Sequence, residues 1–412
     1  MSSKTKTTAT KEEATPALVP KLRFPEFRDS DDWQTKLLGG LCKIRTGKKD
    51  ANEGASDGQY PFFTCAENHI FSHSYSFDAE AILIAGNANV GQTRYYSGKF
   101  EAYQRTYVLT DFSGISVPYL YAVLNAKLRE SLLAHVQVSA MSYIKLPMLQ
   151  EYALAVPPSP AEQQKIAECL SSVDELMAAQ ARKVDALKTH KKGLMQQLFP
   201  REGETVPRLR FPEFRGEGEW EMRKLEEVTD SVFDGTHQTP TYTQQGVPFY
   251  SVENLISGNA NKFISRDDYL LATKRNRPEK GDVLITRIGK IGFSQVVTWE
   301  HEFSVYVTLA VIKQSRAFNS HFLSYFMQSD FYQSELRSKS LPNAVPPKIN
   351  LDSLRATEVL LTNEDEQKRI ASCLTSLDDL IAAQTQKLDA LKNHKKGLMQ
   401  QLFPSSENQS TL

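Results

Sequence analysis

Cysteine is scarce. The 412-residue chain has four, Cys42, Cys65, Cys169 and Cys373, with no CxxC pair among them, so neither a disulfide framework nor a zinc ribbon is available. No stretch approaches the ~18 consecutive apolar residues of a membrane span, and the first 20 residues lack the apolar core of a secretory signal. No membrane association and a cytoplasmic location are expected. A nucleotide loop of the form GxxxxGK[ST] is missing too: the Gly-Lys pairs at Gly47, Gly98 and Gly289 lack the spacing and the following hydroxyl. Nor is there an Asn/Asp-Pro-Pro-aromatic tetrapeptide that could hold a flipped base, the nearest stretch being Asn343-Ala344-Val345-Pro346-Pro347. Finally, there is no excess of charge: 49 Lys plus Arg stand against 49 Asp plus Glu. That balance does not exclude a nucleic-acid binder, because binding depends on where basic residues cluster.

The remainder is ordinary globular composition, 40% hydrophobic and 24% charged. At this length more than one domain is expected, since single cores stop growing at about 250–300 residues.

The chain is written twice. KLRFPEFRDSDDW, ending at Trp33, returns as RLRFPEFRGEGEW, ending at Trp220, and the run Asp185 to Pro200 returns as Asp389 to Pro404 with changes only at Thr189 and Asn393. The heads are offset by 187 residues and the tails by 204, so the second copy has the longer middle. Between these near-identical connectors lie two inserts, roughly 34–155 and 221–360, that share almost no sequence. The connectors therefore do one job twice, while the inserts are expected to recognise two different things.

In the first connector Ile166, Leu170, Val173, Met177, Gln180, Val184, Leu187, Lys191, Leu194 and Leu198 step by alternating four and three residues, a heptad seam. Ile370, Leu374, Leu377, Ile381, Gln384, Leu388, Leu391, Lys395, Leu398 and Leu402 keep the same register. Each helix should start after a break, Pro157, Pro158 and Pro160 or Thr362-Asn363, and stop at Phe-Pro, giving about 38 residues and ~57 Å. So narrow a stripe suits another helix better than a globular core. Such a pair of helices could run parallel or antiparallel; the antiparallel pairing is preferred because it would satisfy every polar seam residue, bringing Gln180 to Gln384, Lys191 near Asp378 and Asp379, and Lys395 near Asp174 and Glu175.

Each insert mixes strands and helices in the same order. Residues 81–91 and 105–110 read as strands and 117–136 as a helix; in the second insert 281–297 and 304–312 read as strands and 319–337 as a helix. Two α/β domains of common fold and divergent surface follow. Residues 262–293 carry eight basic side chains against four acidic ones, and Lys43, Arg45, Lys48 and Lys49, then Arg94, Lys99 and Arg105, cluster in the first insert. A charge run is usually a solvated face. Matching clusters in both copies favour a phosphate-contacting surface. His237, His69 and His73 lack a plausible ligand set and read as loop histidines, and His190 and His394, at equivalent places near the helix ends, as structural or interfacial ones.

The LRFPEF…W heads, the closing stretches IKLPMLQEYALAVPPSPAEQQKI and INLDSLRATEVLLTNEDEQKRI, and the paired helices after them resemble the specificity subunits of type I restriction-modification enzymes, from about Lys21 to Pro404. The resemblance implies a mixed α/β (α+β) fold: two target recognition domains, 21–160 and 207–363, separated by two long helices, 161–206 with its linker and 364–404, that form an antiparallel coiled coil with an internal pseudo-two-fold repeat. Disordered tails are expected at 1–20 and 405–412. Each domain would read one half of a split site in double-stranded DNA. Two methyltransferase subunits would methylate adenine N6 with S-adenosylmethionine, and motor-nuclease subunits would cut with ATP and Mg²⁺; no cofactor or metal is expected on this chain, which would not be an enzyme. Leu361-Thr362-Asn363 departs from the Pro-rich closing segment of the first half.

For DNA contact the glycine-punctuated turns and basic strands are the candidates: Asn87, Asn89, Gln92, Arg94 and Arg105 in the first domain, and Arg277, Lys280, Arg287, Lys290 and Gln295 in the second. Arg pairs bidentately with guanine, and Asn or Gln with adenine. Lys48 and Lys49 are expected on phosphate. The competing readings are a fused enzyme with an unrecognised site and a coiled-coil scaffold without DNA binding.

Overall fold

In the computed structural model, which describes residues 18–135 and 143–404, each copy of the repeat closes on itself. Gln34–Leu37 pairs antiparallel with Ala153–Val156, joining the first head to its closing segment, and Glu221–Lys224 pairs with Glu358–Leu361 in the same way. A buried ion pair backs each ladder. Arg23 Nε and Nη2 donate to Glu162 at 2.8 Å, and Arg210 Nε and Nη2 donate to Glu366 at 2.7 and 2.6 Å. Such bidentate pairing fixes the head against the first turn of each long helix.

The long helices are Pro160–Leu198 and Glu364–Leu402, 39 residues each, in line with the expected 38. Ser159 Oγ and Asn363 Oδ1 cap their first turns by accepting from Glu162 N–H and Glu366 N–H. Thr362-Asn363 thus starts a helix as well as the proline-rich segment does. All twenty seam positions are buried or half-buried.

The chain divides into two compact units, Met1–Gln180 with Lys387–Leu412, and Ala181–Gln386. Each unit takes the near half of one long helix and the far half of the other, so the division falls inside the helices. In the first unit Ile166, Ala167 and Leu170 share a core with Leu402 and Phe403, and Lys395 Nζ lies 2.6 Å from Asp174 Oδ1. In the second, Leu198 and Phe199 share a core with Ile370, Ala371 and Leu374, and Lys191 Nζ lies 2.6 Å from Asp378 Oδ1. Within each unit the numbering rises along one segment as it falls along the other, so the segments are antiparallel, and both expected lysine pairings are present.

The first unit's main sheet has six strands in the order Lys43–Thr46, Thr106–Thr110, Phe77–Ala85, Thr93–Ala102, Tyr60–Phe63, Ile70–Ser72. Ile82, Ile84 and Leu109 face the helix Val117–His135, while Ala81, Leu83 and Val108 face Phe63 and Phe100 on the other side, the period-two alternation of a strand buried on both faces. The second unit has two four-stranded sheets. One is ordered Val232–Asp234, Leu309–Ile312, Val283–Thr286, Ser294–Val296, and the other Tyr242–Thr243, Phe263–Ile264, Val247–Tyr250, Ser304–Val305. In both units a Pro-Phe strand runs parallel to its neighbour, with Phe62 opposite Glu101 and Phe249 opposite Ser304.

The mixed α/β class stands, with differences of detail. The expected strand 81–91 ends at Ala85, and 281–297 is a hairpin of Val283–Thr286 and Ser294–Val296. Expected 304–312 splits into Ser304–Val305 and Leu309–Ile312, and 319–337 into the helices Ser320–Met327 and Asp330–Lys339. Ser329 makes that last break, its side chain capping Tyr332 N–H. The strand Thr93–Ala102 was not expected at all. Val136, the expected end of the first insert's helix, and the tail 405–412 lie outside the described residues, as does 1–17; Leu18 O accepts from Trp33 N–H at 3.2 Å, so the folded head begins before residue 21.

Candidate nucleic-acid interface

One tight turn recurs at the same place in both units. After Phe77–Ala85 the chain reverses through residues 86–92, with Ala85 N–H donating to Gln92 O and Gly91 N–H to Ala85 O, both at 2.9 Å. After Val283–Thr286 it reverses through 287–293, with Thr286 N–H donating to Phe293 O and Gly292 N–H to Thr286 O, again at 2.9 Å. Gly91 and Gly292 have φ of +76° and +87°, the left-handed region where a side chain is strained. GNANVGQ and RIGKIGF therefore share a backbone while presenting different side chains.

A second loop lies beside each turn. In the first unit Gly86 N–H donates to Arg105 O, Asn89 Nδ2 to Cys65 O, and Gln104 N–H to Lys49 O, which gathers residues 47–50, 64–67, 86–92 and 103–105 into one rim. In the second, Arg287 N–H donates to Thr308 O, Val307 N–H to Thr236 O, and Gly289 N–H to Pro347 O, gathering 234–238, 287–292, 306–308 and 341–348. Gly47 and Gly235 make the crossings possible: a Cβ would stand 1.8 Å from Ala102 O in one and 1.9 Å from Val305 O in the other.

Within the first rim Lys48 and Arg105 are exposed, and Asn87 and Gln92 are half-buried along the turn. Three other candidates are engaged by the protein itself. Lys49 Nζ donates to Ser72 Oγ at 2.8 Å and Ser74 Oγ at 2.7 Å, and faces the buried Glu101 at 3.7 Å. Asn89 holds the neighbouring loop, and Arg94 donates to Ala66 O at 2.6 Å and to Glu67 O. Gln104 and Lys145, exposed on or beside the same rim, were not among the candidates.

In the second rim only Lys290 among the candidates is exposed at the tip. Arg287 is 7% exposed and interior: Nη1 lies 2.7 Å from Asp234 Oδ2 and 3.0 Å from Val307 O, and Nε is 3.2 Å from Ile349 O. It shapes the rim from below, whereas a base contact would need its guanidinium at the surface. Gln295 is half-buried on its strand, opposite Leu284. Arg277 and Lys280 precede the strand whose far end makes the turn, so they do not join it. Arg277 is 3.3 Å from Glu302 and Lys280 is paired with Glu300. The Arg266 guanidinium, with Arg277 adding, holds the Glu302 carboxyl below the usual carboxylate range. The structure adds His237, 3.1 Å from Asp234, and the exposed Lys348. Aligning DGTH at 234–237 with TGKK at 46–49 on their glycines is the signal that could have found His237.

Each rim is thus the same backbone frame, repeated in the two units, with exposed polar and basic groups, Lys48, Gln104 and Arg105 in one and His237, Lys290 and Lys348 in the other. Such groups suit contact with phosphates and base edges. His73 pairs with Asp57 at 3.3 Å and His69 packs against Phe63 and Phe71; His190 and His394 are exposed on the long helices. Among the described residues no group of three or more His, Cys, Asp or Glu is placed to hold a metal ion, and no helix is long and apolar enough to cross a membrane.

Residues 30–189 and 217–393 match the family described as type I restriction modification DNA specificity domain. The chain is 42% identical over 142 residues to the type I restriction enzyme EcoDI specificity subunit of Escherichia coli, a match covering 34% of this chain and 31% of that relative. It is 25% identical over 408 residues, covering 93% of each chain, to the MjaVIII specificity subunit of Methanocaldococcus jannaschii. Its fold is similar to that of a type I restriction-modification S subunit from M. genitalium, with a TM-score of 0.61 at 15% identity, covering 94% of this chain and 100% of that one.

Proposed function

The chain belongs to the type I restriction modification DNA specificity family, and we propose on that basis that each of its two units reads one half of a split, asymmetric double-stranded DNA site. The observation that carries this reading is the duplicated turn, one backbone frame bearing GNANVGQ in one unit and RIGKIGF in the other. Two different half-sites need two different rims, and a shared frame lets both be presented in the same way. The long helices would then set the unread gap between the half-sites.

The proposal extends to the partners. Two methyltransferase subunits dock on the chain and methylate adenine N6 with S-adenosylmethionine; motor-nuclease subunits join them and use ATP and Mg²⁺. This chain supplies recognition in the cytoplasm and binds no cofactor of its own. The test is a map of N6-methyladenine across host DNA with this gene intact and deleted, in cells carrying the cognate methyltransferase. Loss of one split motif is the expected result and gives both half-sites. An unchanged map with the methyltransferase active overturns the reading in favour of a coiled-coil scaffold, which should also show no salt-dependent DNA binding by fluorescence anisotropy.

A further inference from the structure

The two units can be superposed in register at one helix. Ser116 N–H donates to Gln163 Oε1 at 2.8 Å, and Asn319 N–H donates to Gln367 Oε1 at 2.8 Å. Three residues on, the Tyr119 ring lies 6.2 Å from Trp33 and 6.1 Å from Phe403, while Phe322 lies 5.5 Å from Trp220 and 5.7 Å from Phe199. Counting three further, Ala122 of the first unit stands where Tyr325 stands in the second.

Tyr325 fills the angle between its own helix and the long-helix segments of its unit. Its hydroxyl donates to Asp378 Oδ2 at 2.7 Å and lies 3.3 Å from Thr375 Oγ1, and the Lys191 ammonium is 4.9 Å from the ring centre. The first unit keeps an equivalent of each partner, displaced by 204 residues: Ser171 for Thr375, Asp174 for Asp378, Lys395 for Lys191. The ring is missing at Ala122 itself, while burial and then the nearby Asp174 carboxylate push up the pKa of the neighbouring Tyr121 hydroxyl. In place of the ring is a cavity of about 300 Å³, walled by Ala122, Ala167, Leu170 and Met399 and edged by Ser171, Asp174 and Lys395. Tyr121 and the exposed Tyr95, ring centres 6.1 Å apart, add aromatic surface to its lining.

We propose that this cavity receives a tyrosine side chain of a partner protein docking on the first unit, so that the partner completes there the cluster that Tyr325 completes from within the second. The chemistry selects this occupant. Apolar walls fit the ring, Asp174 and Ser171 fit the hydroxyl, and Lys395 fits the ring face. An anionic side chain would meet Asp174, and any charged group would lose its water against the apolar walls. A protein is the favoured source because a helix-borne tyrosine already occupies the same surroundings in the second unit, and buried aromatic anchors dominate protein interfaces. That the partner is the methyltransferase subunit rests on the function proposed above; the chemistry of the cavity does not.

The test uses the full chain and p-cresol, the tyrosine side-chain analogue, in a calorimetric titration. Wild type is expected to bind one p-cresol, Ala122→Tyr none, and Tyr325→Ala two. No binding to wild type at millimolar p-cresol, or unchanged binding by Ala122→Tyr, overturns the proposal. If Ala122→Tyr does not fold, Ala122→Leu, which narrows the same cavity, gives the comparison. In the second arm Ala122→Tyr should weaken association with the purified methyltransferase subunit at least tenfold; equal affinity overturns the assignment of the occupant. Failure of p-cresol binding with an intact methylation motif overturns the cavity proposal alone. Bound p-cresol with an unchanged methylation map overturns the function alone.

Discussion

Arg287 Nη1 lies 2.7 Å from Asp234 Oδ2, and the two side chains are 8% and 16% exposed. The pair joins the base of the glycine turn to the loop carrying His237, so it acts on the shape of the rim. Removing the cation leaves a largely buried carboxylate without its guanidinium partner and two carbonyls, Val307 O and Ile349 O, without their donor. Arg287→Met is expected to lower stability by about 3 kcal/mol, seen in urea unfolding followed by the fluorescence of Trp220 and Trp299. Full stability with loss of discrimination at one base would instead restore Arg287 as a DNA contact.

Arg105 and Lys290 make the opposite case, since both are exposed on the rims. Alanine at either should change stability by less than ~0.5 kcal/mol. If the side chain meets phosphate, affinity falls for all sequences and the salt slope drops by about 1; if it meets a base, ~1–3 kcal/mol of discrimination is lost at one position. Anisotropy titrations at several salt concentrations separate these outcomes, and unchanged affinity and slope would remove the residue from the interface.

The seam was legible because its period is local: Ile166, Leu170 and Val173 announce both a helix and the face it buries, and the lysine pairings followed from matching charge along that face. The rims were legible only as places. Asn89, Arg94 and Arg287 have the composition of base readers, yet each bonds to loops remote in sequence, at Cys65, at Ala66 and Glu67, and at Asp234. Such closures depend on the crossing of strands, which no local pattern encodes. The strand Thr93–Ala102 escaped for a related reason: TRYYSGKFEA is half-exposed for most of its length, and its pairing with Phe77–Ala85, not its hydrophobicity, makes it a strand.

The two tryptophans closing the heads differ in one hydrogen bond. Trp33 Nε1 donates to Glu162 Oε1 at 3.2 Å, whereas Trp220 Nε1 is buried with no partner, its counterpart Glu366 being held by Arg210 and Thr362. Phenylalanine at either position leaves a similar void, but only Trp33→Phe gives up a bond to a charged acceptor. Trp33→Phe should therefore cost about 1.5 kcal/mol more than Trp220→Phe, measured by chemical denaturation. Equal costs would mean that the Trp33 bond contributes nothing net.

The long helices offer a test of spacing. Inserting seven residues after Gln180 and seven after Gln384 adds two turns to each helix and preserves the phase of the seam, because the apolar pattern repeats every seven. Each helix lengthens by ~10 Å at 1.5 Å per residue, which corresponds to about 3 base pairs at 3.4 Å each. The methylated motif of cells carrying the variant should keep both half-sites with a gap about 3 base pairs longer. An insertion in one helix alone shifts the antiparallel register and sets Lys191 and Lys395 out of step with Asp378 and Asp174, so it should abolish methylation. A doubly inserted variant that still methylates the original motif would show that the helices do not set the gap.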